Sequence, residues 1–249
     1  MALYIYSSDF LTHLDMVNDV LGTVHAFLNN RWFFAVVVAA SVALGLRYNL
    51  GYPFGLAVCL VTLVASRADF SAFGLSHFNP VSTLLSALGY TLLILVLVDL
   101  LLDPFLSKLR HEEVDLSAFA PLKGNLQYLL RALTIVLITA AVGEEFFYRG
   151  YVLKRMAVYL GDGQLAWWTA AIISSVIFGL AHYYQGVNGI LTTGVTGFIL
   201  AIAFMRNPLN LAVCMLTHGL YDIFGLLMLF LGRSNMISDF AKNTLFKWM

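Results

Sequence analysis

Charge is what this sequence has least of. Only 11% of its 249 residues are charged, while 60% are hydrophobic and the mean hydropathy is +0.83. Soluble domains carry about 25% charged residues, so this chain lacks the polar surface to cover itself in water, and composition places it among membrane proteins. Neither sign of charge prevails: 14 Lys and Arg stand against 14 Asp and Glu. That balance leaves no basic stripe for nucleic acid and no acidic tail. Cysteine is nearly missing too. Cys59 and Cys214 sit far apart in apolar runs, too few for a disulfide framework or a thiolate metal site, and read as small core residues. A basic start is also lacking. Asp9, Asp15 and Asp19 precede the first Arg, at position 31, whereas a secretory signal begins basic and turns apolar. This stretch reads as a surface or interfacial helix. Neither end carries a lipidation motif.

What the chain has is long apolar runs. A spanning helix needs roughly 20 mainly apolar residues. Candidate spans are 32–50, 52–66, 82–103, 127–148, 165–184, 187–205 and 209–231, an all-α polytopic bundle of about seven to eight spans around an internal polar cavity. The second span is short and pairs with the first in a hairpin around Asn49, Gly51 and Pro53. Residues 67–81 break the apolar pattern and are expected to form a loop. The stretch 103–125, with Lys108, Arg110, Glu112, Glu113, Asp115, Pro121 and Lys123, is expected to be a water-exposed connection containing an interfacial helix. The polar tail from Arg233 ends with Phe246 and Trp248 beside Lys242 and Lys247, a mixture that suits a membrane surface. There is no fixed-period repeat. The expected organisation is one membrane domain: helices and polar connection over 1–125, catalytic helices over 126–231, and a polar tail over 232–249. Any chemistry then falls to residues in the helices.

Ionisable groups inside hydrocarbon cost at least ~2.5–3.5 kcal/mol and mark function by default. The second half holds several. Gly143-Glu144-Glu145-Phe146-Phe147-Tyr148-Arg149-Gly150 continues one apolar helix; Phe178-Gly179-Leu180-Ala181-His182 closes the next; His218-Gly219-Leu220-Tyr221-Asp222 lies within the last. The first three spans hold nothing comparable apart from Asp99 and Asp103 near one end. Helical spacing makes the groups usable. Glu145 and Arg149 share a face and can pair, as can His218 and Asp222. Glu144 lies about 100° round from Glu145 and is free to face a cavity, where it could act as a general base. Each group alone has a bland reading: a structural ion pair for Glu145–Arg149, a hydrogen-bonded core histidine for His182, a buried polar partner for Asp222. Their arrival together on successive helices is what points to function.

Glu, two His and Asp without a dedicated nucleophile suit the activation of water. Glu144 would take the proton, His182 would help to hold the water, and His218 with Asp222 would stabilise the oxyanion. Asp222 can donate only when protonated; otherwise it fixes the tautomer of His218. Two His and a carboxylate are also a hydrolytic zinc pattern, so Glu144, His182 and His218 could instead hold a divalent metal. There is no His-Glu-x-x-His and no Gly-x-Ser-x-Gly. Tyr221-Asp222 lacks the second half of an aspartyl site, because Gly161-Asp162-Gly163 is in a loop and in the wrong order.

These residues resemble the CAAX protease and bacteriocin-processing (CPBP) family of intramembrane proteases, which includes the type II CAAX prenyl endopeptidases. Its Glu-Glu-x-x-x-Arg motif stands as Glu144 to Arg149, its Phe-x-x-x-His motif as Phe178 to His182, and its third motif as His218 and Asp222. The surroundings of Gly186, Gly189, Gly197 and Asn210 are similar as well, and the resemblance covers about 125–225. It implies a helical bundle whose polar residues converge on a water-filled cavity. Glu144 would be the base, His182 its partner, and His218 with Asp222 the oxyanion side, supported by Glu145, Arg149 and Phe178. Position 222 is Asp where the prenyl endopeptidases have Asn.

The leading expectation is a multi-pass endopeptidase of a bacterial-type cytoplasmic membrane, acting on a membrane-associated or lipid-anchored peptide with or without a metal such as zinc. Its partners would be that substrate and the bilayer, with no nucleic acid. A non-catalytic scaffold or immunity protein binding peptides or partner helices in the same cavity is the alternative. A proton-coupled transporter would want inverted repeats, and the polar groups here lie in one half only.

Overall fold

The computed structural model describes residues 2–76 and 79–248, with side chains from Asp15 onward. The described residues are helical with no strand. Six helices are long and apolar enough to cross a membrane, and a shorter apolar one spans Gly51–Ala65. The protein is therefore an integral membrane protein, with the expected hairpin supplying the seventh apolar segment.

The chain opens with α1 (Ala2–Leu28), a helix where a surface helix was expected; Asp15 and Asp19 are exposed on it, while Asp9 lies outside the described side chains. Helices α2 (Arg31–Tyr48) and α3 (Gly51–Ala65) form the hairpin, turned by Asn49 at φ 58°. A 3₁₀ turn (Phe70–Phe73) occupies the expected loop, whose residues 77 and 78 lie outside the described residues. The next span runs through α4 (Pro80–Ile94), a π-type segment (Leu95–Leu102) and α5 (Asp103–Arg110). Then come α6 (Leu126–Val136), π-type segments over Leu137–Glu144 and Phe146–Leu153, and α7 (Lys154–Tyr159). Three further spans, α8 (Gln164–Ala181), α9 (Gly186–Arg206) and α10 (Leu211–Phe230), precede α11 (Met236–Thr244).

Asparagines start four of these helices. The side-chain oxygens of Asn30, Asn79, Asn125 and Asn210 accept from backbone N–H groups of the first turns of α2, α4, α6 and α10, which satisfies donors that a helix start leaves orphaned. Apolar side chains such as Leu85, Leu92, Ile138 and Val176 are exposed, as expected of surfaces that face lipid. The core gathers instead around Phe146, Phe147, Tyr148, Tyr151, Phe178, Leu200 and Phe204. Helices α8 and α9 approach closely at Gly179, where an added Cβ would lie 2.6 Å from the Ile190 carbonyl oxygen and 3.0 Å from Gly194 Cα. Small residues permit such contact between membrane helices, where packing drives association.

Three expectations need correction. The spans 82–103 and 127–148 are too short: the helices continue to Arg110 and Tyr159. Charged side chains end the apolar pattern there, but long Lys and Arg side chains can reach polar partners from a helix end. Lys154 donates to Ser71 O (2.8 Å) and Arg155 to Leu28 O (3.0 Å). The connection 103–125 is only partly water-exposed, since Leu106, Ser107 and Leu122 are buried. Its helix α5 continues the membrane helix, and only a 3₁₀ turn (Ser117–Leu122) follows. The tail is not merely a polar surface strip. α11 folds back on the α5 side, where Lys242 pairs with Glu113 (2.5 Å) and Phe246 packs on Phe105.

Candidate active site

Glu145 is the hub of the buried polar groups. Its side chain is fully buried, and Oε1 accepts from Arg149 Nη1 at 2.7 Å and from His218 Nδ1 at 2.8 Å. The first bond is the expected i,i+4 pair. The second joins residues 73 positions apart on different spans. Arg149, 1% exposed, gives its other nitrogen Nη2 to Gly197 O (2.9 Å) and lies over the ring of Phe178 at 4.6 Å. Gly197 cannot readily carry a side chain: a Cβ would lie 2.8 Å from the Phe178 ring. The guanidinium therefore ties three spans together with one carboxylate, one carbonyl and one aromatic face.

Phe178 is the apolar counterpart of that hub. Its ring also contacts Tyr148 (4.9 Å), His182 (5.0 Å) and His218 (6.0 Å) between centroids. Its carbonyl faces His182 Nδ1 at 2.9 Å. A carbonyl only accepts, so Nδ1 carries the proton in a neutral ring and Nε2 keeps its lone pair. The same reasoning applies to His218. Its Nδ1 meets a carboxylate oxygen that already accepts from Arg149, so Nδ1 donates and Nε2 is directed to the other side. There Asp222 Oδ2 lies 3.5 Å away, near enough for charge attraction but not aligned as a hydrogen bond, and that oxygen is buried without a hydrogen-bond partner.

Glu144 is set apart from this cluster. Its Oε2 is also buried, with no hydrogen-bond partner among the described residues. Glu144 lines a cavity of about 310 Å³ together with Tyr52, Tyr148, His182 and Tyr184. A second cavity of about 290 Å³ is lined by His182, His218, Tyr221, Asp222 and Asp99. His182 lines both. The structure thus brings Glu145, Arg149, Phe178, His218 and Asp222 into one chain of contacts. It places Glu144 on one side of His182 and the His218–Asp222 pair on the other.

The backbone at Glu144 is unusual. Glu145 sits between the two π-type segments, and such wide turns recur at functional sites. Tyr52 reaches across from the hairpin and donates its hydroxyl to Thr139 O at 2.6 Å. Gly143 leaves room for it, because a Cβ there would collide with the Tyr52 hydroxyl. Sequence reasoning missed Tyr52 and Tyr184, which carry no motif, and it missed the Glu145–His218 bond, which no local spacing encodes.

Glu144, His182 and His218 do not form a ready metal centre. Among the described residues no three His, Cys, Asp or Glu side chains form a group able to hold a metal ion. Both nitrogens of His218 already face carboxylates, which leaves two free donors where a catalytic zinc site takes three protein ligands.

Fold and site together define a polytopic helical membrane protein with a buried carboxylate–histidine–arginine cluster between its spans. Residues 126–224 match the family described as type II CAAX prenyl endopeptidase, Rce1-like, consistent with the CPBP family that the motifs resemble. The matched region contains every candidate site residue from Glu144 to Asp222. An uncharacterized protein of Mycoplasma capricolum subsp. capricolum is 28% identical over 144 residues, covering 57% of this chain and 40% of that protein. The chain thus aligns with less than half of that relative's length. No solved structure matches the chain.

Proposed function

We propose that the protein is an intramembrane endopeptidase in which Glu144 activates water to hydrolyse a peptide bond of a membrane-associated or lipid-anchored substrate. The observation that carries this reading is the division of labour between adjacent glutamates. Glu145 is consumed by Arg149 and His218, whereas Glu144 keeps a buried carboxylate oxygen without a partner in a cavity shared with His182. An unsatisfied buried polar atom calls for an explanation, and a carboxylate kept free for proton transfer supplies one.

In this reading the Nε2 lone pair of His182 accepts a hydrogen bond from the water. Glu144 takes the other proton as the oxygen attacks the scissile carbonyl carbon. The oxyanion that forms accepts from Nε2–H of protonated His218, whose charge the carboxylates of Glu145 and Asp222 stabilise. Collapse breaks the C–N bond, and Glu144 passes its proton to the leaving amine. Arg149 and Phe178 hold Glu145 and the two imidazoles in place. Residues 126–231 act as the catalytic helices, 1–125 supply surrounding walls that include Tyr52, and 232–249 cover one end. The membrane is of the bacterial cytoplasmic type.

The test is turnover of a pool of apolar peptides by the purified protein in nanodiscs, run in ¹⁸O water. New termini carrying one ¹⁸O in the carboxyl group are expected from the wild type and not from Glu144→Gln. Equal turnover by the two would sink the assignment of Glu144.

A further inference from the structure

The cavity on the Asp222 side of His182 is acidic, and its charges are not balanced. Asp99 and Asp103 lie four residues apart on one span and both line it, as does Asp222. None of the three has a Lys or Arg within 4.0 Å among the described residues, and Asp222 faces His218 Nε2 at 3.5 Å. Lys242 on α11 is paired with Glu113. Arg233 also lines the cavity, but it is exposed and pairs with no carboxylate among the described residues. Asp99 is held in place by the Tyr221 hydroxyl, which donates to its Oδ1 at 2.7 Å.

A second observation points to something that binds there. Ser238, 7% exposed, lines the same cavity with its hydroxyl oxygen buried and without a partner; Asp103 Oδ1 and Asp222 Oδ2 are orphaned in the same way. The Asp103 and Asp222 carboxylate oxygens, with the Ser238 hydroxyl beside them around a space of about 290 Å³, match a ligand that brings N–H donors and a positive charge. A lysine ammonium or an arginine guanidinium is such a group and accepts nothing, and charge-assisted bonds to carboxylates are the stronger kind.

We propose that this cavity is a specificity pocket for a positively charged group of the peptide substrate, a basic side chain or a free amino terminus, held by Asp99 and Asp103. The proposal rests on the endopeptidase reading for the word substrate, but not for the binding itself. The cavity shares His182 with the Glu144 cavity, so a peptide lying across His182 would place an apolar part beside Tyr52 and Tyr148 and a basic group beside Asp99.

The test is binding of apolar hexapeptides to the full-length Glu144→Gln protein in nanodiscs. Lysine is scanned through each position, with norleucine as the uncharged counterpart and acetylated or free amino termini. At one position lysine should bind about tenfold more tightly or better, the scale of one extra charge-assisted bond. A gain from the free terminus alone assigns the pocket to the amino terminus instead. Asp99→Asn and Asp103→Asn should each reduce the ratio of lysine-peptide to norleucine-peptide affinity at that position. The proposal is overturned by equal binding of charged and uncharged peptides, by no peptide binding, or by a preference that survives both Asn variants. Millimolar magnesium binding without peptide discrimination would make the cavity a metal site and also overturn it. A lysine preference together with no cleavage by the wild type would keep the pocket and reject the endopeptidase reading.

Discussion

Replacing Arg149 with methionine keeps most of the side-chain volume and removes the guanidinium, so the change isolates what that charge does. In the native protein it satisfies Glu145 Oε1 and the Gly197 carbonyl and lies on Phe178. The variant leaves Glu145 buried with only His218 as a partner and takes the side-chain donor from the Gly197 carbonyl, which keeps its hydrogen bond within α9. Removing one member of a buried ion pair costs about 3–5 kcal/mol because the other charge is stranded. The unfolding free energy of Arg149→Met, measured by titration of mixed micelles with denaturing detergent and read by circular dichroism, should fall by that amount. Adding Glu145→Gln should recover part of the loss, since the stranded charge is then gone. A single variant within about 0.5 kcal/mol of the wild type, the range of inconsequential surface changes, would refute the hub role of Glu145 and Arg149. So would strict additivity of the two changes.

Other outcomes follow from the same contacts. Glu144→Gln should fold at least as stably as the wild type, because Glu144 Oε2 has no partner to lose and functional groups often sit at a cost to stability; the same detergent titration reads this. Gly143→Ala should lose about 1–3 kcal/mol by overpacking against the Tyr52 hydroxyl, and combining it with Tyr52→Phe should lessen the loss. Asp69 lies outside the spans, and the Ser71 hydroxyl and N–H donating to it hold its carboxyl below the usual carboxylate range. A lowered value means that its small contribution is present at neutral pH and fades as acid protonates it. The stability gap between wild type and Asp69→Ala should therefore shrink on acidification and not grow.

What the sequence made legible was whatever local spacing encodes. The Glu145–Arg149 pair and the nearness of His218 to Asp222 both follow from a four-residue step on a helix. The hairpin could be placed because Asn49 tolerates a positive φ and Gly51 follows it. Two kinds of feature stayed hidden. Contacts between spans, such as Glu145 with His218 or Tyr52 with Thr139, join residues separated by 73 and 87 positions, and no periodicity records them. Helix ends were hidden for a different reason. Lys154 and Arg155 stop an apolar count, but the helix continues past them to Tyr159, with their side chains donating to Ser71 O and Leu28 O. Asp99 stood out in the sequence together with Asp103 near one end of a span; its bond to Tyr221 on another span became visible only in the fold.

The central claim is that Glu144 drives peptide hydrolysis, and it is tested most directly in the membrane of the host. Membranes carrying the wild type are compared with membranes carrying Glu144→Gln at equal abundance, and peptide termini are read by mass spectrometry. The account predicts a set of termini present with the wild type and missing with the Gln variant, which would also identify the substrate. Identical termini in the two membranes, with a deletion phenotype that Glu144→Gln fully restores, would contradict it and make the protein a non-catalytic binder.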